Sequence, residues 1–308
     1  MTITTGSPAI SARGLTKTYG STTALDDVTF NIPEHIICGL FGRNGAGKTT
    51  LMSILTAQNF ATAGDALIYG EPAYENSSVL PRLCFVRESQ RYPEDSQPDQ
   101  VFAMARLFFP NWNQDLADQL IADFDLPICR RIKKMSRGQR SAVGVIIGLA
   151  SRADVTFFDE PYLGLDAVAR QIFYDRLIAD YSESPRTILL SSHLIDEVAN
   201  LLEHVLVVDD GRLVLDRSAD DLRGMAFTVV GPADAVDTFV GDREELHRER
   251  LGGTASVTAM GQLTSSDEAR LSSLGLSMSP VSLQELIVRL TTRTDRRESA
   301  INSMGAQS

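Results

Sequence analysis

Ile36-Ile37-Cys38-Gly39-Leu40-Phe41-Gly42-Arg43-Asn44-Gly45-Ala46-Gly47-Lys48-Thr49-Thr50 is the segment that decides the fold of this 308-residue chain. Its first six residues are a nearly unbroken apolar run that stops at a glycine-rich loop. From Lys48 onward Leu51, Ile54 and Leu55 follow helical spacing. Strand, loop, helix is therefore the local order. The loop from Gly42 to Thr49 fits the pattern G-x-x-x-x-G-K-[ST]. Its glycines let the backbone curl so that successive N–H groups point at phosphate oxygens, and the following helix adds its positive end. Lys48 is expected to reach the β- and γ-phosphates of a nucleotide, and the Thr49 hydroxyl to bind Mg2+. A chance glycine-rich turn could match the same pattern, but the strand before it and the helix after it make chance a poor explanation.

Downstream, Val155-Thr156-Phe157-Phe158-Asp159-Glu160 is a buried strand that ends in two carboxylates. In a parallel sheet ligands gather beyond the carboxyl ends of the strands, so this pair is expected beside the phosphate loop. Asp159 is the expected Mg2+ partner. Glu160 can polarise a water molecule for in-line attack on the γ-phosphate. Acidic strand ends before a proline, here Pro161, are common, so the pair carries weight only together with the loop. A third apolar strand, Thr187–Ser191, leads to His193 on the same predicted edge. That histidine either contacts the γ-phosphate or caps a helix starting near Leu194.

The remaining pattern is α/β. Short strands are predicted in ISARGLTKTY (10–19) and TTALDDVTF (22–30), and another in Val205–Asp209, with an Asp210-Gly211 hairpin into Arg212–Leu215. Residues from about 95 to 150 read as a helical insertion, with Trp112, Leu116, Leu120, Ile121 and Phe124 on one face and a break at Pro127. Continuous apolar runs alternating with helices suit a parallel sheet covered on both faces. The first domain is placed at 1–217. Beyond it, Phe227–Val230 reads as a strand, and Ala233–Val240 and Ser282–Leu290 as helices. These define a small α/β accessory domain over 218–295 and a polar tail over 296–308.

Composition narrows the function classes. A net charge of −11 disfavours a nucleic-acid-binding surface. A spanning helix needs about 20 apolar residues, and the densest run, Val143–Ala150, is far shorter. The opening MTITTGSPAI has neither the basic start nor the apolar stretch of a secretion signal. Cys38, Cys84 and Cys129 are widely spaced and unpaired in sequence, which suits a reducing cytosol better than disulfides or a zinc site.

With these features in order, residues 9 to about 217 resemble the nucleotide-binding subunits of ABC transporters, and among them the ATPases of ABC-2 type bacterial exporters of drugs, antibiotics and peptides. The resemblance implies a P-loop NTPase fold of the ABC cassette type: a RecA-like core sheet, an antiparallel β subdomain and a helical subdomain, here with a small C-terminal α/β extension. It implies ATP and Mg2+. Gly42, Arg43, Asn44, Gly45, Ala46, Gly47, Lys48, Thr49 and Thr50 would bind nucleotide, with Tyr19 stacked on adenine. Glu160 and His193 would be catalytic, and Thr49 and Asp159 would hold the metal.

Met135-Ser136-Arg137-Gly138-Gln139 stands where this family carries L-S-G-G-Q, and Gly164-Leu165-Asp166 where it carries its D-loop. In the family two cassettes sandwich two ATP molecules head to tail. Ser136, Arg137, Gly138, Gln139 and Asp166 would then act on the nucleotide of a second subunit, in a homodimer or a heterodimer. Arg137 replaces a glycine. Its guanidinium either assists at the γ-phosphate or crowds the loop, and a working variant is favoured. Gln90 is taken as the glutamine that links Mg2+ to the membrane partner, with Glu88 as the alternative. Tyr162, where many relatives have threonine, is assigned no role. The implied activity is ATP hydrolysis that powers a separate membrane permease, by a cytoplasmic subunit peripheral on the inner face of the cell membrane. Export is favoured and import stays open. The rivals are a non-transport cassette, which usually brings coiled coils, a second cassette or zinc cysteines, and a regulatory switch that scarcely hydrolyses ATP.

Overall fold

At Gly20-Ser21 the chain turns tightly enough to pair β1 (Ile10–Tyr19) with β2 (Thr22–Ile32), and Gly20 takes the left-handed backbone that this turn requires, at φ +59. The computed structural model describes residues 8–88 and 90–290. After this hairpin come β3 (Ile37–Phe41), α1 (Lys48–Leu55), β4 (Ala63–Ile68), β5 (Glu71–Pro72) and β6 (Leu83–Arg87). Three helices follow: α2 (Pro98–Phe108), α3 (Gln114–Asp123) and α4 (Arg137–Ala150). Next are β7 (Val155–Asp159), α5 (Ala167–Glu183), β8 (Thr187–Ser191), α6 (Ile195–Val198), β9 (His204–Asp209) and β10 (Arg212–Ser218). The chain goes on through α7 (Ala219–Leu222), β11 (Ala226–Pro232), α8 (Ala233–Val240), β12 (Glu245–Leu251), β13 (Thr254–Met260), α9 (Ser265–Ser273) and β14 (Ser277–Pro280). A last helix, α10, covers 283–290.

Within the described residues, one compact unit comprises the chain up to His193 together with Leu201–Asp216. It holds two sheets. One is antiparallel, in the order β2-β1-β4-β5, and the other has six strands in the order β10-β9-β3-β8-β7-β6. In the larger sheet β3 pairs in parallel with β8 and β9, while β7 pairs in parallel with β8 and β6. Every residue of β3, β7 and β8 is buried, as strands covered on both faces must be. The opening strands are long rather than short. Ten and eleven residues pair because register shifts between Ala12 and Leu15 and between Leu15 and Lys17 let them bend without breaking. Helix α4 seats closely on the large sheet. A Cβ added at Gly148 would lie 2.4 Å from Cε1 of Phe158 and 2.8 Å from Cγ2 of Val86.

The helix starts are set by side chains. Asn113 caps α3 by accepting the Leu116 N–H, and Pro98 occupies the first turn of α2 behind a Gln97–Gln100 capping box. The helix expected near Leu194 is only the four-residue α6. Cys38 and Cys84 are buried and Cys129 is exposed, all as free thiols. Burial pushes the Cys84 thiol up to about 11 and Cys38 well above its ordinary range.

Within the described residues, the second unit comprises Leu194–Asn200 and residues 217–290. Its strands run antiparallel in the order β12-β13-β11-β14. With α8 and α9 as crossovers, this is the split βαββαβ arrangement of ferredoxin-like folds. It has its own core of Phe227, Val229, Val236, Phe239, Val257 and Leu271 among others. The tail expected over 296–308 lies outside the described residues. Among the described residues no helix is long and apolar enough to cross a membrane.

Candidate nucleotide-binding and hydrolysis site

Because β3, β6, β7 and β8 are parallel, their carboxyl ends share one edge of the sheet. The loop after β3 depends on glycine at two close approaches. A Cβ at Gly42 would fall 2.1 Å from the Val208 carbonyl oxygen, and one at Gly47, with φ at +108, 2.6 Å from that of Ala24. The backbone therefore curls tightly at the start of α1, with the Ala46 N–H donating to the Arg43 carbonyl at 3.1 Å within the loop. The Lys48 side chain folds back along the loop, and its Nζ donates to the carbonyls of Gly42 at 2.7 Å and Arg43 at 3.2 Å. Burial lowers its pKa, while the charges of Glu160 and Asp159 oppose that shift. A largely dehydrated cation at the mouth of a loop of N–H donors is well prepared for phosphate.

That mouth opens into a cleft of about 670 Å³ lined by Asn44, Gly45, Gly47, Lys48, Thr49, Thr50, Glu88, Asp159, Glu160 and His193, with Ala24 and Leu163. The carboxylate of Asp159, at the end of β7, is held on both oxygens. The Thr49 hydroxyl donates to Oδ2 at 2.8 Å, and the Ser191 hydroxyl to Oδ1 at 2.7 Å. A hydroxyl beside a carboxylate is the hard-oxygen pair that Mg2+ takes, so the donors fit. Among the described residues no three His, Cys, Asp or Glu side chains gather to hold an ion alone. The rest of such a shell must come from phosphate and water.

Glu160 leaves the strand with left-handed backbone, φ +51, and its N–H donates to the Ser191 hydroxyl at 3.0 Å. Its Oε2 lies 2.7 Å from Nδ1 of His193 and accepts the hydroxyl of Tyr162. Tyr162 is only 2% exposed. Its Oη also accepts the His193 N–H at 2.9 Å and the Ser192 hydroxyl at 3.1 Å, and it lies 3.0 Å from Nδ1 of His193. Burial first, then the hydrogen bond to Glu160, push the phenol far above its ordinary pKa, so it stays a neutral donor.

At the start of α4, Ser136 and Gln139 form a reciprocal capping box. Each side chain accepts the other's backbone N–H at 3.1 Å. Arg137 pairs with Glu88, and both are substantially exposed. A Cβ on Gly138 would meet the Gly164 carbonyl oxygen at 2.6 Å, so α4 nearly touches the loop that leads to α5. The Ser141 hydroxyl donates to the Leu163 carbonyl at 2.7 Å across the same contact, and Asp166 caps α5 by accepting the Ala169 N–H at 2.9 Å. The first turn of α4 has no acidic residue to match its positive end. Tyr19 stands half exposed at the end of β1, with Asn59 donating to its hydroxyl at 2.5 Å and Lys17 Nζ 4.9 Å from its ring centroid.

Residues 25–163 match the family model described as ABC transporter. The doxorubicin resistance ATP-binding protein DrrA of Mycobacterium tuberculosis is 30% identical over 240 residues, covering 74% of this chain and 72% of that protein. The chain belongs to the ABC transporter ATP-binding proteins. The osmoprotectant import ATP-binding protein OsmV of Salmonella typhimurium is 28% identical, covering 76% of this chain and 63% of that protein. A solved ATP-binding subunit of an ABC transporter superposes with a TM-score of 0.62 at 21% identity, covering 70% of this chain and 91% of that one. The fold is thus the ABC ATPase cassette, and the activity is ATP hydrolysis. ABC ATP-binding subunits dimerise and work with a membrane permease.

In this ABC subunit the phosphate loop, Thr49, Asp159, Glu160 and His193 meet in one cleft, as the motif spacing predicts. Ser136, Arg137, Gly138 and Gln139 do not line that cleft, and Arg137 and Gly138 closely approach Gly164 instead. Of the two candidates after β6, Glu88 lines the cleft. Glu88 also borders a second hollow of about 620 Å³ with Tyr92, Arg137 and Arg140, and Gln90 lines that hollow but not the cleft. The reason lies in the sheet register. Arg87 sits opposite Asp159, and the Glu88 N–H donates to the Asp159 carbonyl at 3.0 Å, so the residue next to the strand faces the phosphate end. Tyr162, given no role on sequence grounds, is joined to both Glu160 and His193. No local pattern marks it, because its partner His193 lies 31 residues further along the chain.

Proposed function

We propose that this chain is the ATP-hydrolysing subunit of a drug exporter, and that two copies pair head to tail on the inner face of the membrane beside a separate permease. The observation that carries the reading is the convergence of Lys48, Thr49, Asp159, Glu160 and His193 on one cleft. Export of a drug is the reading favoured by similarity to a doxorubicin resistance protein. The domains are taken as 1–217 for the cassette, with its helical part at about 95–150, and 218–295 for an accessory module.

In this reading Lys48 exchanges the Gly42 and Arg43 carbonyls for β- and γ-phosphate oxygens. Tyr19 offers its ring to the adenine. Thr49 and Asp159 would hold Mg2+, which would neutralise phosphate charge when bound. Glu160 orients a water molecule and takes its proton while the water oxygen bonds to the γ-phosphorus. The bond to the ADP oxygen breaks and leaves its electron pair on ADP. His193 holds the γ-phosphate. Glu88 takes the position assigned by resemblance to Gln90.

Across the dimer, Ser136 retains a hydroxyl hydrogen for the partner nucleotide, because its lone pair serves the Gln139 N–H. The pair of Arg137 with Glu88 is exposed and worth about 0–1 kcal/mol. A charge-assisted bond to phosphate, at about 1.5–3 kcal/mol, displaces it. The deciding experiment is steady-state MgATP hydrolysis by the purified chain, with Glu160→Gln as the blank. Turnover that rises more than linearly with protein concentration and vanishes in the variant supports a self-pairing motor. Clear ATP binding with no turnover above the blank rejects it.

A further inference from the structure

We propose that Tyr162 is a positioning residue for ATP hydrolysis: its buried phenol holds the Glu160 carboxylate in place while His193 moves between Glu160 and the γ-phosphate. This rests on the roles given above to Glu160 and His193. A buried tyrosine usually finds some hydrogen-bond partner, most simply a nearby carbonyl. Here the partners are the two groups that do the chemistry. The phenol donates to the same Glu160 oxygen that Nδ1 of His193 approaches, and it accepts the backbone N–H of His193 itself. Ser192 donates to it as well, so the hydroxyl is fixed from three sides. The ring is buried, and its centroid lies 5.4 Å from that of the His193 imidazole.

The consequence appears when His193 turns toward phosphate. Glu160 Oε2 then loses the imidazole but keeps the phenol, so the carboxylate does not swing at the moment it must orient water. Burial and the hydrogen bond to Glu160 raise the phenol pKa far above its ordinary value, so the donor persists at neutral pH. Tyr162 does not line the nucleotide cleft, so it acts through Glu160 and not on the substrate. Misplacing a reacting group by an ångström costs about a hundredfold in rate.

Tyr162→Phe removes the hydroxyl and keeps the ring. It is expected to lower kcat about ten- to a hundredfold and to leave KM for MgATP within about twofold, since uniform substrate binding is untouched. In single-turnover measurements, Tyr162→Phe added to Glu160→Gln is expected to cause no further loss, because its effect runs through the missing carboxylate. An unchanged kcat, a matched change in KM, or losses that multiply in the double variant would each overturn the proposal and leave Tyr162 a satisfied core residue. Should Tyr162→Phe fail to fold, 3-fluorotyrosine incorporated at position 162 keeps the shape and strengthens the donor. A changed kcat at constant KM supports the proposal, and no change overturns it. Inactive Glu160→Gln beside normal Tyr162→Phe defeats this proposal alone. An active Glu160→Gln defeats the assignment of Glu160, and this proposal with it.

Discussion

Arg137 stands at the first position of α4, a positive side chain on the positive end of a helix, which is an unfavourable placement without an anion nearby. Glu88 supplies that anion within the chain, and phosphate supplies a stronger one across a dimer. Arg137→Gly is expected to lower ATP turnover about tenfold to a hundredfold, the kinetic equivalent of one charge-assisted bond. Its stability in urea should change by no more than about 1 kcal/mol, because the pair it breaks is exposed. Unchanged turnover would mean that Arg137 merely decorates the helix start. The same neighbourhood marks what the sequence could show at this scale. Gly42 to Thr49 and the Asp159-Glu160 pair are legible because each is a local pattern with a local cause. The choice between Glu88 and Gln90 depends on where β6 stops, a register that only its pairing with β7 sets. Tyr162 reaches past its chain neighbours to His193, and no spacing rule encodes that reach.

Among the elements, α4 carries the sharpest packing constraint. Alanine at Gly148 gains about 1 kcal/mol of helix propensity, but its Cβ would sit 2.4 Å from Phe158, whose ring is already packed 5.4 Å from Phe173. Overpacking costs about 1–3 kcal/mol and wins. Gly148→Ala is therefore expected to lower urea stability by up to about 2 kcal/mol. Gly144→Ala, whose nearest contact is 3.1 Å, should be close to neutral. Strands β3, β7 and β8 could be read directly, since burial on both faces writes an apolar run. Strand β4, AGDALI, is exposed over its first half and begins with small and polar residues, and β12, ELHRERL, is dominated by charge, so neither shows such a run. Both form because neighbouring strands complete their hydrogen bonds.

At the scale of the whole molecule, every group of the proposed site lies in the first unit, and that unit has its own core. Ligand that binds only the folded form stabilises by mass action. MgATP at a hundred times its Kd should contribute about 2.7 kcal/mol. In a unit of this size that raises Tm by about 5–10 °C. Chelating Mg2+ with EDTA should reverse much of that rise, and Lys48→Ala should abolish it. A shift of equal size in Lys48→Ala would place nucleotide binding elsewhere. That Leu194–Asn200 joins the second unit has no counterpart in the sequence, because the assignment depends on partners far along the chain, such as the Gln284 N–H donating to Asp196 at 3.3 Å. The three thiols, finally, give the molecule an experimental handle. Cys38 and Cys84 are buried and hold their protons at neutral pH, whereas Cys129 is exposed beyond α3. A maleimide probe would therefore mark the native chain at one point on its helical arm. A single environment-sensitive dye or spin label there could follow that arm through a nucleotide cycle without any cysteine being engineered in or out.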